Sequence, residues 1–141
     1  MEQNVPGKNF LKVASIIGIV FASIALLLNM GGAMIVENFS DTVALGVTAP
    51  VGLSWGMYYT ISFLMLGFSL FAYIMGVANC TNLAKAKLLQ ILGAIMIVFI
   101  LIISFITRDA FGALAIVMFA VELVLPILYI IGASKNKKEL T

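Results

Sequence analysis

Glu122 is the only ionisable residue in the long apolar stretch that covers residues 110–134. An ionised carboxylate at the centre of a bilayer costs roughly 2.5–3.5 kcal/mol on insertion scales, so we expect Glu122 to face other helices in its protonated form. Pro126, four residues further on, has no backbone N–H and therefore leaves the carbonyl of Glu122 without its helical donor. Together, Glu122 and Pro126 predict a polar site inside the membrane.

Two interpretations of this intramembrane polar site stay open. It is either a site for a proton or a cation, or a hydrogen bond that joins Glu122 to another helix or to a partner subunit. Helical spacing places Ser69 of the second apolar segment, and Ser23 or Ala22 of the first, at a similar depth. Because one carboxylate without a second ionisable group makes a weak proton relay, the structural interpretation is favoured.

The remaining composition offers little for catalysis. The chain has no histidine, which removes the commonest side chain for proton transfer and for metal binding. Cys80 is the only cysteine, so it has neither a disulfide partner in the chain nor a histidine base. No basic stripe with interleaved aromatic residues indicates nucleic acid. We therefore expect no enzyme activity, no metal and no cofactor.

Four apolar segments must position these residues. Of the 141 residues, 63% are hydrophobic and 10% are charged, whereas soluble domains have about 25% charged residues. A spanning helix needs about 20 apolar residues, and continuous apolar runs favour helices over barrel strands. The sequence predicts an all-α polytopic membrane protein with a single transmembrane domain. Its spans are expected at about 11–34, 56–79, 84–106 and 110–133.

The lysines indicate the orientation of these spans. If the spans alternate in direction, all seven lysines fall on one side together with Glu2 and Glu139. The other side then holds Arg108 with three acidic residues. Because cytoplasmic loops are enriched in lysine and arginine, both termini are expected in the cytoplasm, and residues 37–54 form the outer loop. The low charge and the lysine-rich tail favour a bacterial plasma membrane.

A cleaved signal peptide is the alternative interpretation of the first segment. Lys8 and Lys12 fit its basic region, and Gly31 and Gly32 with Ala33 fit the small residues of a cleavage site. However, the apolar stretch continues to Val36 and exceeds the typical core of about 7–15 residues. A spanning helix is therefore favoured.

Small and polar residues at steps of three and four predict how the helices pack, since small residues mark close helix contacts in membranes. An average step of about 3.5 residues indicates left-handed packing, and short connections indicate antiparallel neighbours. The sequence thus predicts a left-handed antiparallel four-helix bundle. The predicted packing positions are Gly18, Ala22, Asn29, Gly76, Gln90 and Gly93.

The connections carry further expectations. Residues 107–109 are expected to join the third and fourth spans, with Asp109 capping the fourth helix. Thr81 or Asn82 is expected to cap the third helix. Trp55, Tyr58 and Tyr59 follow the outer loop, where aromatic residues form interfacial belts.

Two function classes fit these features. The first is a non-enzymatic structural, accessory or membrane-organising subunit that acts through helix contacts in the bilayer, as a homo-oligomer or in a larger membrane complex. The second is a small proton- or cation-coupled transporter that works as a homodimer through Glu122. The first class is preferred because four helices are expected to enclose little room for a solute.

Overall fold

The computed structural model describes residues 5–38, 53–111 and 113–138, with side chains described for 5–34, 53–105, 116–117 and 119–138. Within these ranges the chain is helical and contains no strand. The helices are α1 (Lys8–Asn38), α2 (Trp55–Ala78), α3 (Ala86–Phe111) and α4 (Ala113–Lys138), with a short 3-10 turn at Leu83–Lys85 before α3.

Each helix contains a segment that is long and apolar enough to cross a membrane. These segments are Lys8–Met34, Trp55–Ala78, Leu83–Phe105 and Phe119–Lys138. For the described residues, the predictions of an all-helical chain and of four helices long and apolar enough to span a membrane are therefore confirmed. These features are those of a small helical membrane protein.

The boundaries of α2 follow from side chains that bond to the backbone. Ser54 precedes the helix in an extended conformation, and its Oγ accepts a hydrogen bond of 3.3 Å from the N–H of Met57. At the other end, Nδ2 of Asn79 donates to the carbonyl of Met75 over 3.0 Å. The first contact satisfies a backbone N–H that has no helical partner at the start of a helix. The second adds to the bond of 3.0 Å that the backbone N–H of Asn79 donates to the same carbonyl.

The turn between α2 and α3 differs from its prediction. Asn82 precedes the 3-10 turn, but its side chain makes no capping hydrogen bond. Its backbone carbonyl instead accepts from the N–H of Lys85 over 3.1 Å. Because this tight turn uses backbone partners, neither Thr81 nor Asn82 caps α3.

The connection between α3 and α4 also differs from its prediction. α3 continues through residues 107–109 and ends at Phe111, and α4 begins at Ala113. Asp109 therefore lies inside α3 and does not cap α4. The charged pair Arg108 and Asp109 suggested a turn, but the described helix α3 includes both residues. Most of the predicted outer loop, residues 39–52, lies outside the part of the chain that the structure describes.

The four helices pack in a ring. α1 contacts α2 and α4, and α3 contacts α4 and α2, with the most extensive contacts in the pairs α1–α2 and α3–α4. These contacts fit a four-helix bundle. The pairing of α3 with α2 and with α4 agrees with the short connections between them.

The hydrophobic core occupies one half of the bundle, here called the packed half. It contains the beginning of α1, the end of α2, the beginning of α3 and the end of α4. Its buried hydrophobic residues are Leu11, Ala14, Ala72, Tyr73, Cys80, Leu89, Leu92, Met96, Tyr129 and Ala133. The other half of the bundle, here called the open half, surrounds a cavity.

Candidate functional site

The open half contains a cavity with a volume of about 990 Å³. All four helices contribute to its walls, which are mainly apolar. The expectation that four helices enclose little room is therefore wrong, because the helices that touch in the packed half leave space between them in the open half. The polar residues of the lining are Asn29, Tyr58, Tyr59, Ser62, Ser69, Tyr73 and Glu122, together with the indole of Trp55.

Tyr73 forms the floor of the cavity, at its border with the packed half. The ring of Tyr73 lies so close to Gly18 that a Cβ atom on that glycine would be 2.6 Å from three ring carbons. Tyr73 meets Tyr129, which lies outside the lining, edge to face at 6.0 Å between ring centroids. The hydroxyl of Tyr129 donates to the carbonyl of Ala72 over 2.8 Å. The floor residue Tyr73 is therefore held by contacts with the packed half.

Glu122 lines the cavity and exposes its side chain to it. Among the described side chains, the hydrogen bonds between helices involve other residues, and none includes Glu122. Among the described residues, Glu122 therefore lines the cavity without a hydrogen bond to another helix.

The residues expected near Glu122 are only partly brought together. Ser69 and Ala22 line the same cavity, but no hydrogen bond joins Ser69 to Glu122 in the described part of the chain. Ser23 is half-buried and does not belong to the cavity lining. Pro126 is completely buried inside α4, one turn from Glu122.

The other predicted packing residues lie where helices approach one another. A Cβ on Gly76 would overlap Ser15 and Tyr129. A Cβ on Gly93 would lie 2.5 Å from Cγ1 of Ile130. Because both glycines lack a side chain, Tyr129 can pack against Gly76 and Ile130 against Gly93.

Asn29 and Gln90 were both expected to form hydrogen bonds between helices. Nε2 of Gln90 donates to Oγ of Ser134 over 2.7 Å and so links α3 to α4. Asn29 lies in the cavity wall, and its Oδ1 atom is buried without a hydrogen-bond partner among the described residues, as is Oγ of Ser15. A buried polar atom without a partner costs about 1–3 kcal/mol.

Three aromatic residues at the beginning of α2 surround the other end of the cavity. Trp55 stacks on Tyr59 at 5.9 Å between centroids, and Tyr58 meets both rings edge to face. The hydroxyl of Tyr59 reaches α1, where it lies 2.9 Å from the position of a Cβ on Gly32. The predicted aromatic residues therefore form a cluster that also lines the cavity.

Sequence reasoning did not find Asn136, which is completely buried in the last turns of α4. Its Oδ1 accepts from the N–H of Gly7 over 2.8 Å, and its Nδ2 donates to the carbonyl of Cys80 over 3.0 Å. Asn136 lies three residues after Ala133 and seven after Tyr129, so helical spacing places all three on one face of α4. This spacing could have predicted that Asn136 is buried. The neighbouring lysines instead suggested that the segment is a solvated tail.

No protein-family model, curated protein or solved structure matches this chain. No group of three histidine, cysteine, aspartate or glutamate residues that could hold a metal ion occurs in the part of the chain that the structure describes. The fold and the site thus define a small membrane protein with four apolar helices and one acidic cavity.

Proposed function

We propose that this protein is a non-enzymatic accessory or organising subunit that acts through contacts between its own helices and a partner helix in the membrane. The observation that carries this proposal is the outward surface of α2. Gly56 and Gly67 are exposed there, and a Cβ on either would meet no atom within 4 Å. They therefore differ from Gly18, Gly76 and Gly93, which are covered by neighbouring helices.

A glycine on a lipid-facing surface needs an explanation. Glycine in a helix costs about 1 kcal/mol relative to alanine, and Gly67 serves no packing contact within the chain. Leu64 and Phe71, about one turn before and after Gly67, are exposed, so their side chains should border a groove above its backbone. Small residues between larger ones allow a second membrane helix to approach closely. A second copy of this chain or another membrane subunit fits this groove.

Substitution of Gly67 tests the subunit proposal. Gly67→Leu should fill the groove and reduce assembly with a second copy or another subunit. Mass photometry and amine-reactive cross-linking, in mild detergent or in nanodiscs, measure this assembly. Ala94→Leu is the matched control, because Ala94 is exposed on α3 and the substitution places the same leucine side chain there. Loss of assembly in both variants, or in neither, would contradict a specific role of the α2 surface.

We further propose that the bundle is antiparallel and left-handed, forms a single domain and has both termini in the cytoplasm of a bacterium. The meeting of Gly7, Cys80 and Asn136 at the packed half supports this arrangement, as does the clustering of the lysines near these residues. Reporter fusions at Asn136 and Asn82 should report the cytoplasm, and a fusion at Ser40 should report the exterior. A cytoplasmic signal from Ser40 would overturn the orientation.

A small cation- or proton-coupled transporter is the second candidate, and the cavity around Glu122 favours it. Transport driven by a gradient should then be seen in proteoliposomes with the native chain. It should be lost in Glu122→Gln, because an amide does not release a proton in the physiological range. Equal flux in both proteins would remove this candidate.

A further inference from the structure

We propose that the cavity of a single chain binds a lipophilic organic cation, with its charge at Glu122 and its apolar body against the aromatic and aliphatic walls. The proposal takes up the cavity of the second candidate function, the transporter, but it concerns binding alone. Binding itself requires neither a gradient nor a second copy of the chain.

The size and composition of the cavity fit a ligand of this kind. Its volume of about 990 Å³ lies at the upper end of the range of roughly 300–1,000 Å³ found for small-molecule sites. Such sites combine apolar walls with a few polar groups that orient the ligand. Here the polar groups near Glu122 are Ser69 and Tyr73.

The charge of the cavity selects for cations. Among the described residues of the lining, Glu122 is the only one with a carboxyl group, and none is a lysine or an arginine. The lysines instead flank the packed half, on the far side of the Tyr73–Tyr129 contact. A carboxylate in an apolar space gains most from an opposite charge, since attraction is less screened there than in water.

The aromatic side chains favour a cation of diffuse charge over a metal ion. Trp55, Tyr58, Tyr59, Tyr73 and Phe99 all line the cavity. Cations are attracted to the faces of such rings. A hard metal ion needs several oxygen ligands at close distance, and one carboxylate in an aromatic cavity does not supply them.

The walls also indicate how the ligand enters. Ile17 and Phe21 of α1 and Val121 and Val124 of α4 line the cavity, and all four are exposed. α1 and α4 touch near Leu11 and Gly132 in the packed half. These exposed lining residues point to an entrance between α1 and α4, on the side that lipid tails would surround. A cation that partitions into lipid can reach Glu122 by this path.

Equilibrium binding of tetraphenylphosphonium to the full chain in phosphatidylcholine nanodiscs tests the proposal. Tetraphenylborate is the matched probe, because it has nearly the same shape and the opposite charge. The native chain should bind the cation saturably, with one site per chain, and should not bind the anion. Trp55 is the only tryptophan and lines the cavity, so its fluorescence should change as the site fills.

Two variants separate the role of the charge from that of the fold. Glu122→Gln should weaken cation binding at least tenfold, and Glu122→Asp should keep saturable binding. Ile127→Ala alters an exposed residue of α4 outside the lining and should bind as the native chain does. Circular dichroism should show the same helicity for all of them.

Each outcome decides a different question. Absence of saturable binding, equal binding by Glu122→Gln, or binding of the anion by the native chain would overturn the cation site. Saturable, Glu122-dependent binding without flux in proteoliposomes would retain the site and remove the transporter. Assembly through α2 is measured in a separate experiment, so a failure of the subunit proposal would leave the result on cation binding unchanged.

Discussion

The two halves of the bundle are built from the same four apolar helices but are used differently. In the packed half, Leu11, Tyr129 and Asn136 are completely buried, and hydrogen bonds join α1, α2 and α4. In the open half, the helices surround a cavity of about 990 Å³ with Glu122 in its wall. Lipid tails are as apolar as leucine and supply no force that pulls helices together. Hydrophobicity alone therefore does not determine where these helices touch.

Glycines and polar side chains distinguish the packed half. Gly132 brings α4 against the backbone of α1, where a Cβ would lie 2.7 Å from the N atom of Leu11. Nζ of Lys135 lies 4.0 Å from the ring centroid of Phe10 and adds a cation–π contact between the same helices. Close backbone approach and directed contacts thus occur together in one half, whereas the other half surrounds the cavity.

The largest expected effect comes from separating α1 and α4 in the packed half. Gly132→Leu should lower the free energy of unfolding by about 2–3 kcal/mol, because a side chain there must displace backbone atoms. Gly31→Leu is the control, since a Cβ at Gly31 meets nothing within 4 Å. Thermal unfolding in detergent measures both. A larger loss in Gly31→Leu would reverse the assignment of the two halves.

A loss of similar size is expected when the link through Asn136 is removed. Asn136→Leu should destabilise the protein by about 2 kcal/mol, because it leaves the N–H of Gly7 and the carbonyl of Cys80 buried without this partner. Asn82→Leu should have little effect, because Asn82 is exposed and its side chain makes no capping bond. Unfolding in urea and detergent gives the comparison, and equal losses would show that the link adds no stability.

A smaller effect is expected at the boundary between the halves. Tyr129→Phe keeps the ring and removes the hydrogen bond to Ala72, so it should cost about 1 kcal/mol. Tyr58→Phe is the control at the other end of the cavity, where the ring is only half-buried. The melting temperatures of the two variants test this prediction. An unchanged melting temperature for Tyr129→Phe would mean that the hydrogen bond from Tyr129 to Ala72 adds no stability.

The smallest effect on stability is expected at Glu122. Glu122→Gln should change the free energy of unfolding by less than about 0.5 kcal/mol, because the side chain faces the cavity and packing around it is unaltered. Chemical unfolding of the native chain and the variant measures this difference. The structural interpretation of the sequence also expects this result, because glutamine keeps the hydrogen-bond donor of a protonated glutamate. A loss of about 1–2 kcal/mol in Glu122→Leu would instead indicate that Glu122 holds the bundle together.

The boundaries of the elements show the limit of sequence reasoning in this chain. Charged residues at 107–109 suggested a turn, but α3 continues to Phe111. A polar or charged residue near a membrane surface is compatible with either a turn or a helix, since water is available to both. Only the surrounding chain decides between them.

The sequence by itself determined the four helical spans and the isolation of Glu122, because the bilayer demands long apolar helices with internal backbone hydrogen bonds. It also suggested that Glu122, Ser69 and Ala22 lie at one depth. Tertiary structure alone decided that these residues line a cavity, and that Asn136 joins Gly7 to Cys80. The physical reason is that hydropathy records whether a residue tolerates lipid, whereas cavities and links between helices depend on the distances at which particular backbones approach.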